Sequence, residues 1–148
     1  MMKPVEFMII KLSTDQFALL RDMYIPDAPV AVSTQLSFGF EEKEKIVAVS
    51  ASFRFESDEK NVPFIVLETK AYFQISPESW ECMYESGTNT LTLDKGFARH
   101  LSVIVVGTSR GILHNRTDGT ELNHIVLPLI NVEQILKEDV VINISERQ

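Results

Sequence analysis

Cysteine occurs once in this 148-residue chain, as Cys82. An internal disulfide is excluded, and a reducing, cytoplasmic setting is the expectation. Positive charge is scarce: 14 Lys and Arg stand against 21 Asp and Glu, for a formal net charge of −7. That balance argues against nucleic-acid binding, which runs on Lys and Arg contacts to phosphate, and against adsorption to anionic membranes. It suits a basic protein partner, or a merely soluble surface. No apolar run approaches the ~20 residues that span a bilayer, so no membrane insertion is expected. Lys3, Glu6 and Lys11 interrupt the apolar opening at Met1–Leu12, unlike a signal peptide. The six glycines are scattered, which leaves no phosphate-cradling loop. His100, His114 and His124 lack metal-ligand spacing, and Cys82 has neither a second cysteine nor an evident base. No metal or cofactor is expected. Asn115-Arg116-Thr117 and Asn143-Ile144-Ser145 match the glycosylation sequon, which carries no meaning in a cytosolic protein.

What the chain does have is alternation. Its length suits one domain with a real core, here residues 1–148. Val5–Leu12 reads as a first strand. Thr14–Tyr24 reads as a helical turn or a wide loop, and Pro26 and Pro29 stop any regular element. In Val30–Phe40 the even positions are apolar or Thr: Val30, Val32, Thr34, Leu36, Phe38 and Phe40. In Ile46–Phe55 the odd ones are Val47, Val49, Ala51, Phe53 and Phe55, and in Pro63–Ile75 they are Ile65, Leu67, Thr69, Ala71, Phe73 and Ile75. Period two with one apolar face means strands. The polar turns Glu41–Lys45 and Ser57–Asn61 join them as an antiparallel meander. The opposite face, with Ser33, Gln35, Ser50, Ser52 and Tyr72, is polar but barely charged, and either serves assembly or is solvated. Ser76–Asp94 is a polar connection containing Trp80 and Tyr84.

The stretch Phe97–Leu136 organises the rest. Phe97, Leu101, Ile104, Thr108 and Ile112 fall on one helical face. Yet Val103–Val106 is a β-branched run, which favours strand, and Asp118-Gly119 is a hairpin dipeptide. The sheet's apolar face needs a cover, and that selects helix. Leu122–Ile130 is extended and interrupted by Pro128. Asn131 is an N-cap, with Gln134 placed to complete a capping box. Val140–Ile144 is a further helical turn or an edge strand. The fold class is therefore α+β: a four-stranded antiparallel sheet with a long helix and a short C-terminal helix on one face.

Gly107-Thr108-Ser109-Arg110-Gly111 is a G-x-S-x-G pattern after an apolar run, the signature of a nucleophile elbow. Asp118 and His124 follow in the right order for a small serine esterase. Against this, the elbow belongs to a mostly parallel sheet, and both partners sit in one joint. The bland reading makes Gly107, Ser109 and Gly111 small residues where a helix packs closely.

The order of parts resembles the SecB family of export chaperones, from about Phe7 to Leu136. Phe7-Met8-Ile9-Ile10-Lys11 is similar to that family's first strand, and Phe64–Leu67 through Tyr72–Ile75 to its fourth. Thr108-Ser109-Arg110 stands where a tyrosine-alanine-arginine motif belongs, Asp118-Gly119 at the joint, and Leu127–Asn131 at the proline–asparagine segment. Lys70-Ala71 replaces paired glycines, and Glu121-Leu122 a phenylalanine-proline, so the resemblance is to a divergent member. It implies a non-enzymatic chaperone holding unfolded or export-destined polypeptides in apolar grooves, with Leu122, Ile125 and Leu127 on a groove wall. It also implies a homo-oligomer, dimer or dimer of dimers, and a translocase motor as possible partner, touched through Asp15 and Glu68. A chaperone dedicated to one client, such as an antitoxin or a phage protein, is the alternative.

Overall fold

The computed structural model describes residues 4–57 and 61–143. Most of the Ser57–Asn61 turn, and Ile144, lie outside the described residues. Strands β2 (Val30–Glu41), β3 (Ile46–Ser57) and β4 (Pro63–Ile75) are the three alternating segments. Between β2 and β3 the Glu41 carboxylate accepts the Glu44 N–H at 2.7 Å, and Lys45 takes a left-handed conformation at φ 57°. Phe38 lies opposite Val49, Phe53 opposite Leu67, and Val47 opposite Phe73, so the apolar positions share one face. Val49, Phe53, Leu67 and Phe73 are buried. Leu36 and Phe38 are half-buried, because β2 is an edge strand.

Strand β1 (Phe7–Leu19) is longer than its expected Val5–Leu12 span and takes in part of the segment read as a turn or loop. Two register shifts, at Ile9/Lys11 and Thr14/Gln16, explain the difference. Each resets the phase of the alternation, so the positions paired with β4's inner residues are Phe7 and Ile9, then Leu12 and Thr14, then Phe17 and Leu19. The sheet order is β1-β4-β3-β2, so the meander covers three strands and β1 closes the opposite edge. The link crosses one end of the sheet. Leu20 N–H donates to the Phe64 carbonyl (2.8 Å), Arg21–Met23 makes a 3-10 turn, and Ile25 N–H donates to Ser57 Oγ (3.0 Å).

The connection after β4 is more structured than its polarity suggests. Helix α1 (Pro77–Met83) starts at Ser76, whose Oγ accepts the Ser79 N–H, with Pro77 in the first turn, where its missing donor costs nothing. It buries Trp80 against Phe40 and Tyr84, ring centroids 5.9 and 5.7 Å away. Strands β5 (Tyr84–Glu85) and β6 (Thr90–Leu93) follow, and β6 also pairs with β7 (Val140–Asn143), which makes a second, three-stranded sheet. Val140–Asn143 is thus an edge strand.

Helix α2 (Lys95–Arg116) contains the whole β-branched run. Asp94 caps it, and His114 and Arg116 lie in its last turn, where positive charge complements the helix dipole. A helix distributes Val103–Val106 around its circumference: Val103 is exposed, Ile104 half-buried, Val105 and Val106 buried. Burial against β3 and β4 outweighs the local preference. The fully buried stripe is Ala98, Leu101, Ser102, Val105, Ser109 and Leu113, rotated from the expected Phe97–Ile112 face, whose other members are half-buried. Small residues line that stripe because the sheet positions beneath are small as well, with Ala51 opposite Thr69 and Val49 opposite Ala71.

Candidate functional site: the return segment and its surroundings

The chain leaves α2 through a tightly bonded joint. Thr117 Oγ1 donates to the Leu113 carbonyl (2.9 Å), Asn123 Nδ2 donates to the His114 carbonyl (3.0 Å), and Gly119 turns the chain at φ 78°. Residues 125–130 then run back extended without joining a sheet. Their backbone is held by side chains from α2. Arg110 donates to the carbonyls of Leu127 (2.8 Å) and Pro128 (2.9 Å). Arg99 donates to those of Leu136 (2.8 Å) and Glu133 (3.4 Å). Helix α3 (Val132–Ile135) begins at Asn131, which caps it by accepting the Glu133 N–H at 3.1 Å.

This segment alternates. Leu122, Ile125 and Leu127, the groove residues expected from the sequence, point inward at 0%, 9% and 1% exposure and help close the core. Between and beyond them, Val126 is 59% and Leu129 92% exposed. The surface apolar residues of the return segment are therefore Val126 and Leu129, which sequence reasoning missed. Alternation about buried Ile125 and Leu127 points to Val126; it does not point to Leu129, because Pro128 and Leu129 are both exposed and the phase breaks there.

Other candidates are scattered. Ser109 is no elbow nucleophile: it lies inside α2, fully buried, and its hydroxyl donates to the Val105 carbonyl at 2.7 Å. That i−4 bond is how a helical serine satisfies its hydroxyl in an apolar setting. His124 instead shares a hydrogen bond with the Tyr24 hydroxyl (3.1 Å) and meets the Glu121 carbonyl through Nδ1 (2.9 Å). His100 packs edge-on to Phe7. Asp15 and Glu68 lie near each other at the outer face of the sheet, where Glu68 pairs with Gln16 across the second register shift. Asp15 accepts the Ser13 hydroxyl and sits 3.9 Å from Lys70 Nζ. Lys11 and Lys70 lie over the Tyr72 ring, 5.3 and 5.8 Å from its centroid, so this face mixes charges.

Among the described residues no cluster of three or more His, Cys, Asp or Glu could hold a metal ion. Nor is any described helix long and apolar enough to cross a membrane.

Comparison with solved structures matches this arrangement. The Mycobacterium tuberculosis Rv1957 SecB-like chaperone, in complex with a ChAD peptide from the Rv1956 HigA1 antitoxin, superposes with a TM-score of 0.52 at 11% identity. The match covers 84% of this chain and 90% of that one. The fold is SecB-like. A Streptococcus agalactiae protein of unknown function aligns over 87% of this chain and 100% of its own, at 12% identity and a TM-score of 0.39. No family model matches the sequence, and no curated protein does. The SecB-like likeness thus rests on the fold and not on sequence.

Proposed function

We propose that this chain is a chaperone-like protein that holds extended, unfolded polypeptide on apolar surface. One observation carries the reading: the return segment presents Val126 and Leu129 to solvent on a backbone held in place by Arg110. A fixed apolar wall recognises side chains without first ordering itself. Edge strand β2 adds half-buried Val32, Leu36 and Phe38, where α2 covers β3 and β4. An extended client is held by such pockets together with main-chain bonding to a strand edge. In this reading Leu122, Ile125 and Leu127 support the wall from behind.

Strand β1 supports homo-oligomer formation. Met8, Ile9, Ile10 and Leu12 are all exposed along it, and an apolar edge strand is a template for a second chain. The translocase contact through Asp15 and Glu68 remains part of the proposal, and on this surface it would work in the presence of Lys70. A dedicated chaperone for one client is the second reading, favoured by the antitoxin peptide held by the SecB-like neighbour.

The test is suppression of aggregation of a chemically unfolded client, paired with a thermal melt. Wild-type protein should suppress aggregation. A Val126→Ser/Leu129→Ser variant should suppress it less while its Tm stays nearly unchanged. Failure of wild-type protein at stoichiometric excess refutes the general reading. Co-purification of one dominant partner from native cells then selects the dedicated one.

A further inference from the structure

The Asp118-Gly119 dipeptide, a hairpin signal in the sequence, closes no hairpin. It lies in the joint after α2, at the middle of a turn that Thr120 N–H closes by donating to the Thr117 carbonyl (3.0 Å). Gly119 takes φ 78° at the third position of that turn, the mark of a type II turn and a conformation glycine adopts without strain. The residues on either side are tied down. The Thr117 hydroxyl donates to the Leu113 carbonyl (2.9 Å), and the Thr120 hydroxyl donates to the Thr117 carbonyl (2.7 Å).

The peptide between them is not. Asp118 and Gly119 are exposed. Among the described residues the Gly119 N–H and the Asp118 carbonyl enter no backbone hydrogen bond, and the Asp118 carboxylate enters no hydrogen bond or ion pair. Beyond the chain neighbours of Gly119, no atom lies within 4 Å of where its Cβ would stand, so nothing crowds its nitrogen from that side. Turn types I and II share the closing bond and differ in the orientation of the middle peptide, so that peptide can rotate while the turn stays shut. Here the rotating peptide carries the Gly119 nitrogen beside the Asp118 carboxyl group. Asp118 is also the one Asp or Asn in the sequence that glycine follows; at every other, a side chain on the next residue crowds the nitrogen.

We propose that Asp118 is a self-modification site, at which the folded chain isomerises from an aspartyl to an isoaspartyl linkage through a cyclic imide. The Gly119 nitrogen attacks Cγ of the protonated Asp118 acid. The N–Cγ bond forms, the bond from Cγ to its hydroxyl breaks, and the hydroxyl leaves with the nitrogen's proton as water. Water then opens the ring. Addition at the Asp118 main-chain carbonyl breaks its bond to nitrogen and leaves Gly119 attached through Cγ. Addition at Cγ restores aspartate. Water released in the first step is taken up in the second, and no oxidant, reductant or other reactant is needed. The isoaspartyl product has an extra methylene in the backbone within the turn, which lengthens the joint between α2 and the return segment. This chemistry needs the joint alone and is independent of the polypeptide-holding reading.

The test is ageing of the folded wild-type protein at neutral pH, well below its melting temperature, followed by peptide mapping and by labelling with a protein isoaspartyl methyltransferase. Label should accumulate at residue 118 and exceed that at all other aspartates together. Its rate should lie within several-fold of that in a synthetic peptide of residues 114–124, which no fold restrains. Asp118→Glu, whose longer side chain disfavours the ring, should lose the label at that position. Asp118→Asn, with a better leaving group on Cγ, should convert several-fold faster and show the mass gain of amide-to-acid conversion in the intact protein. Circular dichroism before and after ageing checks that each sample is folded. Folded wild-type protein that stays unlabelled while the peptide isomerises overturns the proposal. Label spread evenly over the aspartates, or an Asp118→Asn variant that keeps its mass, overturns it equally.

Discussion

Strand β4 and the return segment 125–130 both turn alternate residues inward, β4 along most of its length and the return segment over residues 125–128, and their backbones are satisfied in different ways. Strand β4 lies between β1 and β3, and its polar backbone groups are consumed by two ladders. The return segment belongs to no sheet, and its Leu127 and Pro128 carbonyls take their partner from Arg110. A ladder is cooperative and survives the loss of any one side chain. An arginine clamp concentrates the same duty in one residue, whose planar fork fits two carbonyls at once. Alternating burial therefore reports a two-sided environment, and only the partners decide whether the segment is a strand.

The comparison can be broken most severely at the sheet. Phe53 is fully buried at the centre of β3, and Phe53→Ala should cost about 3–5 kcal/mol by denaturant unfolding. Leu122→Ala, at the inward side of the return segment, should cost about 2–4 kcal/mol, because that side belongs to the same core. Arg110→Ala should cost about 1.5–3 kcal/mol through its charge-assisted bonds. Its distinctive sign is local: exchange of the Ile125 amide, bonded to the Leu122 carbonyl, should quicken while β3 and β4 stay slow. Arg110→Lys should restore the charge but not the paired bonds, and so should not restore protection. Leu129→Ser should change stability by less than about 0.5 kcal/mol, because the side chain is already in water. A large loss of Tm from that substitution would mean Leu129 has a structural partner and would remove it from the proposed client surface.

These contrasts also show what the sequence reveals. Strands β2 to β4 are legible because each keeps a single phase over ten or more residues. Most of β1 is not, because its two register shifts invert the phase twice and leave Ile10 and Asp15 out of the pairing. Its place beside β4 is equally hidden, since nothing local distinguishes the two edges of a meander. Helix α2 is legible only through the sheet that needs covering; its own β-branched run argues for strand. Strands β6 and β7 are fixed by pairing between residues about fifty positions apart, as in Leu91 opposite Ile142. At the candidate site the location is legible and the orientation is not. Leu122, Ile125 and Leu127 are apolar in either direction, and only the core's demand for volume turns them inward.

The pairing of β7 with β6 has a consequence for kinetics. Because Val140 is stitched to Leu93, next to the start of α2, the stretch from Thr117 to Asp139 is fastened at both ends. It is a closed circuit of chain. A segment fastened in this way can open by bowing outward but cannot peel away, so its excursions are short and it returns quickly. Cutting the stitch, for instance by ending the chain before Val140, would turn the circuit into a trailing end. Opening of the segment, governed now by the bowing of a fastened loop, would then be governed by fraying from a free terminus.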